Sequence, residues 1–205
     1  MEGAVVSIDA IGTQRSIVDK IIEKKGHYFL GVKDNQSALK DAVEDAFLFN
    51  KSSDYASQME CGHGRIETRE CRILPADAVE EIRTRWNGLK TIVEITSTVD
   101  YGSRTAVTKR YYISDEDYPK AAYYNMLARG HWTIENNLHW MLDVTFKEDA
   151  SRARMGYAAE NLSLVRKLAL QIVKQHNDKR SIKKRLFRAA LSQDYLKEIL
   201  LNAKI

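Results

Sequence analysis

Proline is nearly absent, with Pro75 and Pro119 the only two in 205 residues, so neither a proline-rich linker nor a low-complexity tail is present. Cysteine is as scarce. Cys61 and Cys71 lie ten apart with His63 between them, and a structural zinc site takes four ligands, so these are expected to be ordinary reduced thiols. No run of about 18 apolar residues occurs, and the opening MEGAVVSIDA has no basic segment ahead of an apolar one. Neither a membrane span nor a secretory leader is legible, and a cytoplasmic globular chain is expected. The length suits one sizeable core, alone or with an inserted subdomain.

Charge is abundant but uneven. Residues 151–205 hold 13 of the 32 Lys and Arg but only 4 of the 28 Asp and Glu, a net of +9 against −5 for the remainder. A concentrated basic segment is the footprint of polyanion binding, since each phosphate neutralised releases condensed counterions. A solvated helical face gives the same composition.

In chain order, GAVVSID (3–9) is small and β-branched, as in a strand buried on both faces, and Asp9 stands at its carboxyl end. Open α/β sheets place ligands at that edge, although an Asp there also caps helices. Ile17, Ile21 and Ile22 recur at helical spacing within 14–25, HYFLGVK (27–33) is a second strand, and Asn35, Gln36 and Ser37 open a helix carrying Leu39, Val43, Ala46 and Phe47. This β-α-β-α order predicts a largely parallel sheet covered by helices. From Gly64 to Ser114 the period changes to that of strands, RIETRECRIL, TIVEITSTVD and AVTKRYYIS, with a helical piece near 77–86 and a hairpin turn at Tyr101, Gly102 and Ser103. Helix resumes near Tyr118. Leu162, Val165, Leu168, Ala169 and Ile172 define a later amphipathic helix with Arg166, Lys167 and Lys174 on its polar side, followed by a basic helix and a short apolar one.

The stretch RGHWTIENNLHWMLDVTFKEDASRAR (129–154) is the densest in chemistry. Ile134, Leu138, Met141 and Leu142 form one stripe at 3.6 residues per turn, and His131, Glu135 and His139 line up beside it. A carboxylate at the edge of a buried surface suits a metal ligand, while a solvated Glu beside an ordinary core helix is the alternative. A zinc hydrolase built on those three side chains is a further class, made awkward by outer ligands two turns apart.

Several strings together resemble one family, the H-repeat-associated transposases of bacterial insertion sequences, which belong to the DDE class. They are VVSIDAIGTQ (5–14), GHYFLGVKDNQ (26–36), HGRIETRECRIL (63–74), the 129–154 stretch, AAENLSLVRKLAL (158–170) and KKRLFRAALSQDYL (183–196). The resemblance implies an α/β, ribonuclease H-like catalytic domain in which two Asp and one Glu hold two Mg²⁺ or Mn²⁺ ions. Asp9 and Glu135 take the positions of the second Asp and the Glu. An antiparallel β-rich insertion is also implied, giving 1–50 as part of the ribonuclease H-like sheet, 51–116 as the insertion, and 117–205 as a helical region with the Glu and a basic tail. Lys33, His131, Arg152, Arg154, Arg166 and Lys167 are the candidate DNA contacts.

The departures carry expectations of their own. The first Asp of the family lies well upstream of the second, so the chain is expected to be an N-terminally truncated copy that lacks the first strands and is catalytically impaired. Where related signatures place Tyr and Arg before the Glu and Lys after it, Ala128, His131 and Leu142 stand here. The expected partners are DNA, and a second copy or a full-length transposase, with no membrane. A non-catalytic DNA-binding or dimerising fragment is the alternative function.

Overall fold

The computed structural model describes residues 1–62 and 64–203, with the backbone alone at Glu135 and Asn136. His63 therefore lies outside the described residues. The chain forms two compact units, Met1–His131 and Trp132–Ile205.

The first unit is built on a six-stranded sheet ordered β1-β2-β6-β5-β4-β3. Its strands are β1 Val5–Ile8, β2 His27–Val32, β3 Asp54–Gly62, β4 Arg65–Pro75, β5 Thr91–Asp100 and β6 Thr105–Ser114. Only β1 and β2 run parallel, with Val5 opposite His27 and Ile8 opposite Leu30. The helix between them, α1 (Arg15–Glu23), supplies the crossover that a parallel pair requires. Every other pairing is antiparallel, and β6 joins β2 directly, so the β-rich residues continue the same sheet.

Alternation of side chains divides the sheet into two faces. Tyr28, Leu30, Val32, Leu74, Ile92, Tyr111 and Ile113 face α1 and α2 (Ser37–Phe49), whose buried side chains are Val18, Ile21, Leu39, Val43, Ala46 and Phe47. Phe29, Cys71, Ile73, Val93, Ile95 and Tyr112 face α4 (Ala121–Ile134) through Ala121, Tyr124 and Ala128. Phe29 stacks on Tyr112 with ring centroids 4.5 Å apart. The short helix α3 (Glu80–Arg83) lies between β4 and β5. The expected turn at 101–103 is present, with Gly102 at φ +78° and the Tyr101 N–H donating to Arg104 O at 3.0 Å.

Two strands depart from the sequence expectation. β1 is a sheet edge and only half-buried rather than buried on both faces. β3 is the opposite edge; its DYASQMECG is largely polar and exposed, so its strand character comes from its pairing with β4 rather than from a hydrophobic period.

The second unit is helical. A π-helical turn, Glu135–His139, links α4 to α5 (Trp140–Phe146), and α6 (Ala158–Gln175), α7 (Ile182–Leu191) and α8 (Gln193–Leu201) follow. The π turn has a direct consequence, because its wider winding breaks the 3.6-residue register on which the stripe rested. Leu142 is buried, but Ile134 is 51% exposed and Trp140 also faces solvent. The expected line of His131, Glu135 and His139 runs through the Glu135 side chain, which lies outside the described residues. The small core of this unit is Val173, Tyr195 and Ile199, supported by Ile172, Ile182, Leu186 and Ala189. It engages the C-terminal part of α6, so Leu162, Val165 and Leu168, expected to be buried, stand exposed. No helix among the described residues is long and apolar enough to cross a membrane.

Candidate metal and nucleic-acid site

Because β1 and β2 end together, the residues that follow them share one edge of the sheet. Asp9 follows β1, and Lys33 follows β2. The Lys33 ammonium donates to both carboxylate oxygens of Asp9, at 3.1 Å and 3.3 Å. Asp9 makes no side-chain cap to the short 3₁₀ turn Ala10–Gly12 that follows it, which removes the capping role as the explanation for this residue. Partial burial opposes ionisation of Asp9. The backbone N–H of Ala10, the Lys33 ammonium and the nearby His131 outweigh it, so the carboxyl titrates below its ordinary value.

The turn after Asp9 is fastened by the segment after β2. Asn35 Nδ2 donates to Ala10 O at 2.6 Å, Gln36 Nε2 donates to Thr13 O at 2.9 Å, and the buried Thr13 hydroxyl donates to Gly31 O at 2.6 Å. The two segments approach closely at Gly31, where a Cβ would stand 3.3 Å from Ala10 N, a tight contact, and 3.7 Å from Asp9 Oδ1, an ordinary one. The strings DAIGT and KDNQ are thus two halves of one corner. Asn35 and Gln36 were legible only as helix openers, and their position immediately after a strand that ends beside Asp9 was the available signal.

His131, near the end of α4, comes to the same strand, with Nδ1 3.2 Å from Ser7 Oγ. Ser7 and Asp9 are two residues apart along the chain. Asp9, Lys33 and His131 are therefore brought together. Lys33, expected as a DNA contact, is paired with Asp9 and remains largely exposed.

Glu135 belongs to the π turn of the second unit, and its side chain lies outside the described residues. Arg152 and Arg154 are in the loop before α6, Arg154 donating to Ala153 O at 3.0 Å. Lys167 is exposed on α6, whereas Arg166 is mostly covered and lies 4.0 Å from Glu148. Cys61 is exposed and Cys71 buried, with its thiol pushed up to about 12 by that burial. Such a thiol is unreactive at neutral pH.

The basic tail sorts into fixed and available cations. Arg185 donates to Val173 O and His176 O, both at 2.9 Å, and to Arg180 O at 2.8 Å, closing the carboxyl end of α6. Arg180 pairs with Asp178 at 2.8 Å, and Arg188 lies 4.2 Å over the Tyr195 ring. Lys179, Lys183 and Lys184 make no ion pair among the described residues.

Among the described residues no group of three or more His, Cys, Asp or Glu is arranged to hold a metal. The chemistry of Asp9 nevertheless fits a hard divalent cation, since it is an ionised oxygen donor whose two oxygens already hold a cationic group, the Lys33 ammonium.

The site as described is thus an Asp at a strand's carboxyl end with the Lys33 ammonium on it and His131 nearby. Residues 2–172 match the family described as Transposase DDE domain, and the chain belongs to that family. Among curated proteins it is 38% identical over 206 residues to "Putative transposase YncI" of Escherichia coli O157:H7, covering 96% of this chain and 52% of that protein. It is 33% identical over 212 residues to "H repeat-associated putative transposase YhhI" of Escherichia coli strain K12, covering 98% of this chain and 55% of that protein. The chain thus spans about half the length of the curated relatives it matches.

Proposed function

We propose that this chain supplies part of the catalytic centre of a DNA transposase, with Asp9 and Glu135 as carboxylate ligands for Mg²⁺ or Mn²⁺ on a ribonuclease H-like frame into which residues 51–116 are inserted. The observation that supports this reading is Asp9 itself, ionised, making no side-chain cap to the turn that follows it, and met by the exposed Lys33 ammonium. Divalent ions held there would supply Lewis acidity for phosphoryl transfer at an attacking water or 3′-hydroxyl. This chain's own residues orient the reaction: Asn35, Gln36 and Thr13 fix the Asp9 turn, and His131 adds positive potential beside it when protonated. The partners are insertion-sequence ends and target DNA, together with a second copy or a full-length transposase, in the cytoplasm.

The test is nicking of supercoiled plasmid in Mg²⁺ or Mn²⁺, beside Asp9→Ala and Glu135→Ala. Slow metal-dependent nicking lost in both variants supports the reading, and nicking that survives both contradicts it.

A second reading, a DNA-binding or dimerising fragment without catalysis, is favoured by Lys179, Lys183 and Lys184. Its signature is metal-independent binding whose dependence on log salt becomes shallower when the three lysines are replaced, by about 0.9 for each phosphate no longer neutralised.

A further inference from the structure

Resting on the reading of Asp9 as a metal ligand, we propose that Lys33 is a built-in stand-in for the divalent cation, occupying the Asp9 carboxylate until the ion arrives and then giving way to it. The ammonium touches both oxygens at once, which is where a cation on this carboxylate would sit. It is also removable. The Lys33 side chain is 61% exposed and that of Asp9 45%, and exposed pairs of this kind are among the weakest interactions in proteins.

The remainder of the corner makes the exchange possible without rearrangement. The path of Asp9 is set by the amides of Asn35 and Gln36 and by the Thr13 hydroxyl, none of which depends on Lys33. When the ammonium leaves, the carboxylate stays in place. Lys33 itself swings on a flexible four-carbon stem from the strand end, and a displaced ammonium at this edge is free to meet a phosphate oxygen. Such a cation keeps the carboxylate ionised and compensated while the site lacks an ion, and it makes metal binding a competition.

The competition is measured as Mn²⁺ affinity of the full chain, by electron paramagnetic resonance of the free ion, for wild type, Lys33→Met, Lys33→Arg and Asp9→Asn. Removing the competing charge in Lys33→Met is expected to tighten Mn²⁺ binding about fivefold. Lys33→Arg, which keeps a cation, stays within about twofold of wild type, and Asp9→Asn loses the site. In the unaltered chain, Mg²⁺ should also move the Lys33 side-chain NMR signals to those of an unpaired lysine, a readout that needs no variant. If Lys33→Met binds Mn²⁺ no better than wild type, or the Lys33 signals do not move on Mg²⁺ saturation, while Asp9→Asn still abolishes binding, the stand-in role is overturned and Asp9 remains a ligand. If Asp9→Asn leaves Mn²⁺ binding unchanged, the metal reading of Asp9 fails, and this inference fails with it.

Discussion

Asp9 and Asp178 are both held by cations, and they are held for different ends. Asp178, in the second unit, has a side chain 8% exposed. It accepts from the Tyr195 hydroxyl at 2.6 Å and from the Arg180 backbone N–H and guanidinium at 2.9 Å and 2.8 Å, with Arg188 3.8 Å away. These donors, the tyrosine first, hold its carboxyl well below the usual range. Asp9 has one hydrogen-bonding side chain on it among the described residues, an ammonium on a flexible stem, beside the Ala10 backbone N–H and the nearby His131. A carboxylate saturated by donors that cannot leave is part of the frame, whereas one compensated by a donor that can leave is available to a ligand. Position in the fold agrees, since Asp178 ties α6 to α7 and α8 while Asp9 stands at the carboxyl edge of a parallel strand pair.

The comparison can be broken most forcefully at Arg185. If the tail around Asp178 is a frame, Arg185→Ala strands three backbone carbonyls and costs about 2–3 kcal/mol of helical-unit stability, read by urea unfolding. Unchanged stability would make that arginine a surface charge instead. Asp178→Asn should lower the thermal midpoint by about 5 °C, against at most about 1 °C for Asp9→Asn, followed by circular dichroism. Equal effects would erase the distinction.

Acid sharpens the same contrast. The folded pKa of Asp178 lies below its unfolded value of about 3.9, so its contribution is complete above that value and is lost as the pH falls through the folded pKa. Asp178→Asn should therefore flatten the acid limb of a stability profile taken below about pH 4 more than Asp9→Asn does. Asn35→Ala should cost about 1 kcal/mol of stability and weaken Mn²⁺ binding although the carboxylate itself is untouched.

How much of this was legible beforehand depended on the kind of signal. Leu39, Val43, Ala46 and Phe47 repeat at helical spacing against a covered face, and all four are buried as their spacing implies. Asp9 could be placed because an apolar strand stops beside it. β3 escaped notice because an edge strand with polar faces has no hydrophobic period; only its partner β4 makes it a strand. The stripe through 134–142 misled because periodicity presumes 3.6 residues per turn, and the π turn at 135–139 does not obey it. The basic tail was visible as charge, but composition cannot say that Arg185 points at carbonyls while Lys183 is left without an ion pair among the described residues. Lys33 was legible as a cation near DNA chemistry, and only the register of β1 with β2 shows that its partner is Asp9.

The most direct test of the difference between the two aspartates is amide-resolved NMR of the whole chain during addition of substoichiometric Mn²⁺, whose paramagnetism broadens signals near its binding site. The account predicts broadening centred on Asp9 to Thr13 and Lys33 to Gln36, abolished by Asp9→Asn, with the amides around Asp178 unaffected. Broadening centred on Asp178 and Glu198, or a pattern around Asp9 that persists in Asp9→Asn, would contradict it.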